Sequence, residues 1–191
     1  MAEVFGCIIF HGNWAKRAWI VESNDEIMKS PHLLNLGNAR KVRENLSGIL
    51  DTTALALIER EIDANVVAFL TLGRRYYLFA TDQSSQNWRH KVSRLYYAAY
   101  SVARGVRLYV TGEYSTDVRD HHRFDKLPDD FPTRDRYVNQ LSILREDRNL
   151  CDYDHIATAR DLVLGSSNSA ALVRDFMDDA RSYLRGKGLS L

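Results

Sequence analysis

Between Ser84 and Gly112 apolar residues return every three or four positions. Val92, Leu95, Tyr96, Ala99, Val102, Ala103, Val106 and Val110 fall on one face at helical spacing. Ser84-Ser85-Gln86 offers a capping stretch and Gly112 a stop, so the pattern predicts a helix over about 87–111. Leu55, Ile58, Ile62, Val66, Phe69 and Leu70 form a second stripe, with Asp51 or Thr52 as its cap. Gly73 marks a place for that helix to break or kink before Tyr76, Tyr77 and Phe79. A third helix is predicted from Asp135 to about Asn149, with Tyr137, Leu141 and Leu144 inward. A final pair, Ile156 to Leu164 and Ser169 to Leu184, is split by Gly165-Ser166-Ser167. Val173, Phe176, Met177, Ala180 and Leu184 make the stripe of the second member.

Two segments lack this period. Residues 113–133 are polar and hold Pro128 and Pro132, two of the three prolines, so they read as a long loop of the kind that often carries function. In the first fifty residues, Val4 to Phe10 and Arg17 to Glu22 are β-rich runs around His11-Gly12-Asn13 and fit a small β-hairpin, with a further helix over Asn38 to Leu50. The expected fold is all-α: an antiparallel up-and-down helical bundle of four to five helices over 51–191, with a small N-terminal appendage over 1–50. No internal repeat or low-complexity segment interrupts it.

Composition narrows the class. With 45% hydrophobic and 27% charged residues in 191, the chain reads as an ordinary soluble globular protein. No run approaches the roughly 18 apolar residues of a membrane span, and Glu3 with no basic stretch argues against a signal peptide. Cys7 and Cys151 are too few for a disulfide framework or a four-thiolate zinc site, which points to a reduced, cytoplasmic chain. The net charge of +1 conceals 20 arginines against 6 lysines. Guanidinium groups suit bidentate phosphate contacts, although a GC-rich genome produces the same bias and no basic run stands out.

The densest candidate chemistry closes the third helix: Leu144-Arg145-Glu146-Asp147-Arg148-Asn149-Leu150-Cys151-Asp152-Tyr153-Asp154-His155. Arg148 follows Leu141 and Leu144 on the apolar stripe. A guanidinium directed at the bundle must either be paired, here with Asp152 or Asp154, or face a ligand cleft. Cys151 has no lysine nearby to activate it and reads as packing. Tyr96, Tyr97 and Tyr100 are core residues or base-stacking surfaces. Adjacent histidines do not readily share a metal, no helical His-x-x-x-His pair exists, and no metal or cofactor is expected.

Ser93-Arg94-Leu95-Tyr96-Tyr97-Ala98-Ala99-Tyr100, followed after the loop by Arg148-Asn149-Leu150-Cys151-Asp152-Tyr153-Asp154, resembles the HEPN superfamily (higher eukaryotes and prokaryotes nucleotide-binding). The similarity is to members with R-x-Y-Y-A and R-x-x-x-D-Y signatures and covers about residues 55–186. It implies a bundle of four or five helices, commonly homodimeric. Many members are metal-independent endoribonucleases of toxin–antitoxin or phage-defence type. Their motif pairs an Arg with a His after four to six intervening residues. The Arg stabilises charge growing on the phosphorus, and the His exchanges protons with the attacking or leaving oxygen.

By this resemblance Arg148 and His155, separated by six residues, are the candidate catalytic pair, while the more usual spacing falls on Tyr153. Arg94 and Tyr97 would support Arg148, with Arg145, Asp152 and Tyr153 beside it. In the long loop, His121 and His122 form a second acid–base or phosphate-contacting patch or a solvated turn. Two functions stay open. One is an RNA-binding chain that cleaves as an endoribonuclease; the other is a non-catalytic binding or adaptor module paired with a nucleotidyltransferase-type or other protein partner.

Overall fold

The apolar stripe from Val92 to Val110 becomes the central helix of the computed structural model, which describes residues 31–34, 37–115 and 126–191. The expected hairpin and both loop histidines, His121 and His122, lie outside the described residues. The elements in chain order are α1 (Pro31–Leu34), α2 (Ala39–Leu46), α3 (Thr52–Asp82), α4 (Trp88–Thr111), α5 (Arg134–Tyr153) and α6 (Ser166–Gly186). Short 3-10 turns at Ser85–Asn87 and Ala159–Asp161 join them. The described residues contain no strand, and Asn38 and Glu113 form an isolated antiparallel bridge. The fold is an all-α helical bundle.

Helix α4 is buried along most of its length because it packs on α3, α5 and α6 together. Its end is where the sequence places it: Gly112 adopts φ 71°, and its N–H donates to the Leu108 carbonyl at 2.9 Å. Only glycine takes this left-handed conformation without cost. Asn38 caps α2 by accepting from the Lys41 N–H at 2.9 Å, and its amide donates to the Thr111 carbonyl at 2.9 Å. Leu34 and Ala39 are buried in the same core as the bundle helices.

Three expectations change. Helix α3 does not kink at Gly73 but runs unbroken from Thr52 to Asp82. Gly73 is instead the point of closest approach to α4. A Cβ there would stand 2.7 Å from Val102 Cγ2 and 2.9 Å from the Ala98 carbonyl oxygen. Helix α5 continues past Asn149 to Tyr153. Residues 156–164 are not a helix: only Ala159–Asp161 makes a 3-10 turn, and the last helix begins at Ser166.

The irregular segment after α5 is held by two polar side chains, Asp147 and Arg89. Asp147, fully buried, accepts from the N–H groups of Val163 and Leu164 at 2.8 and 3.0 Å. Arg89 of α4 donates to the carbonyls of Leu150 and Cys151 at 3.1 and 2.9 Å, and to that of Ala157 at 2.6 Å. A cation over the last carbonyls of α5 satisfies acceptors with no partner inside the helix and complements its dipole.

Gly73→Ala is expected to destabilise the bundle. Alanine favours helix by about 1 kcal/mol over glycine, but its methyl would meet a backbone oxygen that cannot rotate away, and overpacking costs about 1–3 kcal/mol. Urea denaturation should show a lower midpoint for the variant; an equal or higher one would refute close packing at this position.

Candidate functional site

The site is built where three helices meet. From α4 come His90, Arg94 and Tyr97, spaced by four and then three residues and therefore on one helical face. From α3 come Tyr76 and Phe79, and from the end of α5 come Arg148 and Asp152. Between them lies a cleft of about 500 Å³ lined by Tyr76, Arg89, His90, Ser93, Arg94, Tyr97, Cys151 and Asp152.

Arg148 stands behind the cleft wall with its side chain only 13% exposed. One terminal nitrogen donates to the Tyr97 hydroxyl at 2.7 Å, and the other to the Asn149 side-chain oxygen at 3.2 Å. Nε lies 2.7 Å from Asp152 Oδ2. That contact is an ion pair rather than an aligned hydrogen bond, since no acceptor lies in line with the Nε–H. The guanidinium carbon sits 5.3–5.4 Å from the ring centres of Tyr96, Tyr97 and Tyr153. Burial disfavours its charge, but the Tyr97 hydroxyl and the Asp152 carboxylate outweigh burial and hold its pKa above the ordinary arginine value. Both options for Arg148 thus coexist: it is paired with Asp152, and a cleft opens beside the pair.

Arg94 is placed differently. It is exposed, and its guanidinium carbon lies 5.7, 6.0 and 5.9 Å from the ring centres of Tyr76, Phe79 and Tyr97. Rings at this distance attract the cation without neutralising it, and among the described residues no carboxylate pairs with it. Tyr76 and Tyr97 contact each other with ring centres 5.9 Å apart. Cys151 is buried, and desolvation, with the Asp152 charge adding, pushes its thiol up to about 12.

His155 is not brought to Arg148 within the chain. It lines a separate groove of about 630 Å³ with Glu146, Asn149, Leu150, Tyr153, Ile156 and Val163. Tyr153, 70% exposed, lies between the two regions, with its hydroxyl 3.5 Å from an Arg148 nitrogen. Arg145 pairs with Glu146 at 3.3 Å, donates to Ser142 Oγ at 3.3 Å and does not line the cleft. Sequence reasoning passed over Arg89, His90 and Asp147. The spacing of His90 from Arg94 and Tyr97 was the available signal for one of them. Among the described residues no group of three His, Cys, Asp or Glu side chains could hold a metal ion, and no helix is long and apolar enough to cross a membrane.

Fold and site together define an all-α bundle with a cationic, aromatic-lined cleft between its central helix and the end of α5. Compared with known families, with curated proteins and with solved structures, the chain matches none.

Removing the Arg148 guanidinium strands the Tyr97 hydroxyl and leaves Asp152 unpaired. Arg148→Ala is therefore expected to lose about 1–3 kcal/mol of unfolding free energy and Tyr97→Phe about 1 kcal/mol. An unchanged midpoint in Arg148→Ala would show that the side chain is not held as described. For Cys151, a thiol titrating near 12 stays protonated at pH 8 and is a poor nucleophile. In a Cys7→Ser background, iodoacetamide at pH 8 should modify the native protein far more slowly than the urea-unfolded protein, as read by mass spectrometry.

Proposed function

We propose that the cleft binds single-stranded RNA and that the chain is an RNA-acting protein of HEPN type, serving in a toxin–antitoxin or defence system and cutting RNA without a metal ion. The observation that carries this reading is the exposed Arg94 guanidinium, set over three aromatic rings and without a carboxylate partner among the described residues. A phosphate meets that cation directly, while Phe79, 52% exposed, offers a face on which an unpaired base stacks. Paired bases cannot present their faces this way, which favours single strands over duplexes. Arg148 is engaged by Tyr97, Asn149 and Asp152, so its part is to fix the cleft wall. Arg94 is the side chain free to grip the backbone.

A specific observation also favours a protein partner. The groove beyond α5 exposes Tyr153, Ile156 and Val163 together, with Ile156 92% exposed. Contiguous apolar surface of this kind is used in protein contacts. In this second reading the groove receives a second copy of the chain or a nucleotidyltransferase-type partner, and RNA chemistry is not required.

Fluorescence anisotropy with a labelled single-stranded RNA separates the two. Arg94→Ala should weaken binding roughly tenfold, equivalent to about 1.4 kcal/mol. It should also make the dependence of affinity on salt shallower by about 0.7 in log–log slope, as for one lost phosphate contact on a single strand. Equal affinity in wild type and variant would overturn the RNA reading of this cleft and leave the partner-binding reading.

A further inference from the structure

Among the described residues the cleft is lined by one histidine, and it is not the one to which the sequence motif points. We propose that His90 is the proton-transfer residue of this cleft, taking the 2′-hydroxyl proton of a bound ribonucleotide while Arg94 holds the adjacent phosphate. The inference rests on the RNA reading above and assigns the acid–base group of that same site.

Position supports the assignment. His90 lies one helical turn before Arg94 and two before Tyr97, about 6 and 10 Å along the axis of an unbroken helix. All three line the same cleft, as does the Ser93 hydroxyl, a donor available to a non-bridging phosphate oxygen. His90 is exposed and, among the described residues, makes no hydrogen bond or ion pair that would occupy its ring nitrogens. Its neighbour Arg89 is spent on the carbonyls that end α5, which fixes the first turn of α4 against α5. His155, by contrast, lines the other groove.

The step balances without an external oxidant, reductant or metal. The neutral imidazole of His90 takes the 2′-hydroxyl proton, and the 2′ oxygen forms a bond to phosphorus. The bond from phosphorus to the 5′ oxygen breaks, and that oxygen leaves as a hydroxyl with a proton from water. The imidazolium then returns its proton to the hydroxide left behind. The products are a 2′,3′-cyclic phosphate and a 5′-hydroxyl end, and the positive charge of Arg94 favours the negative charge that builds on the phosphorane.

The test uses the full chain in EDTA, with two probes. A single-stranded RNA reports cleavage under single-turnover conditions, and the same sequence in 2′-deoxy form reports binding alone. Wild type should bind both and produce fragments ending in 2′,3′-cyclic phosphate. His90→Ala, which removes an exposed side chain and should keep its far-ultraviolet circular dichroism, is expected to bind the deoxy probe with unchanged affinity. It should cleave RNA about 10²–10⁴ times more slowly, with added free imidazole restoring part of the rate; His155→Ala should cleave like wild type. Cleavage by His90→Ala at the wild-type rate, or its loss in His155→Ala alone, would overturn the assignment and leave the RNA reading intact. Binding of RNA by wild type without cleavage would also overturn it, while leaving RNA binding standing. Failure of wild type to bind either probe would overturn both.

Discussion

The close approach of α3 and α4 at Gly73 sets everything around the cleft. With no side chain at Gly73, α4 lies close enough that Val102 and the Ala98 carbonyl fill the space a Cβ would need. Gly105 of α4 repeats the device one turn earlier along α3, where its absent Cβ would meet Phe69 Cβ at 3.3 Å. The two helices run in opposite directions, so a step forward along α3 is matched by a step back along α4. One turn beyond Gly73 the pair is therefore Tyr76 and Tyr97, and the next is Phe79 and Arg94, both in contact. The aromatic wall and the cation laid over it follow from the glycine contact, and a wider helix spacing would separate them.

The end of α5 is tied to this wall from both sides. Arg89 reaches over its final carbonyls, and Arg148 reaches back to Tyr97. A largely desolvated guanidinium is costly unless it is paired, and here a hydroxyl and an amide oxygen accept from it while the Asp152 carboxylate stands beside Nε. Asp152 therefore offsets the charge of Arg148 while facing the cleft. The field inside the cleft thus depends most on Arg94, the cation whose contacts among the described residues are rings rather than carboxylates.

Much of the architecture was legible in the chain because it rests on local signals. The 3.6-residue period of α4, its glycine stop and the stripe of α6 each arise within one helix. The signals that misled were those whose meaning is set by a partner. Gly73 read as a helix breaker because glycine lowers helix propensity, yet the surrounding helix is long enough to carry it and the neighbouring helix requires it. Ile156 to Leu164 has apolar residues near helical spacing, but Asp147 takes the Val163 and Leu164 N–H groups from a helix sixteen residues away. That hydrogen bond, long in sequence, leaves no trace in a local pattern. The Arg148 contacts divide the same way: Asp152, one turn ahead, was readable, while Tyr97, fifty-one residues back, entered only through resemblance.

The separation of His155 from Arg148 has a specific local cause. Seven residues are two turns, so in a continuous helix the two side chains would share a face. The helix ends at Tyr153, and Asp154 is extended at φ −98° and ψ 102°. Its carboxylate accepts from the N–H groups of Ile156 and Ala157 at 2.9 and 3.1 Å, an Asx turn that redirects the chain. His155 therefore leaves the face of Arg148 and enters the neighbouring groove. The same seven-residue interval within α4, from His90 to Tyr97, is uninterrupted and keeps both ends on one face. The hydroxyl that holds Arg148 therefore stands on the same face of α4 as His90, two turns away, whereas the chain turn at Asp154 carries His155 into the other groove.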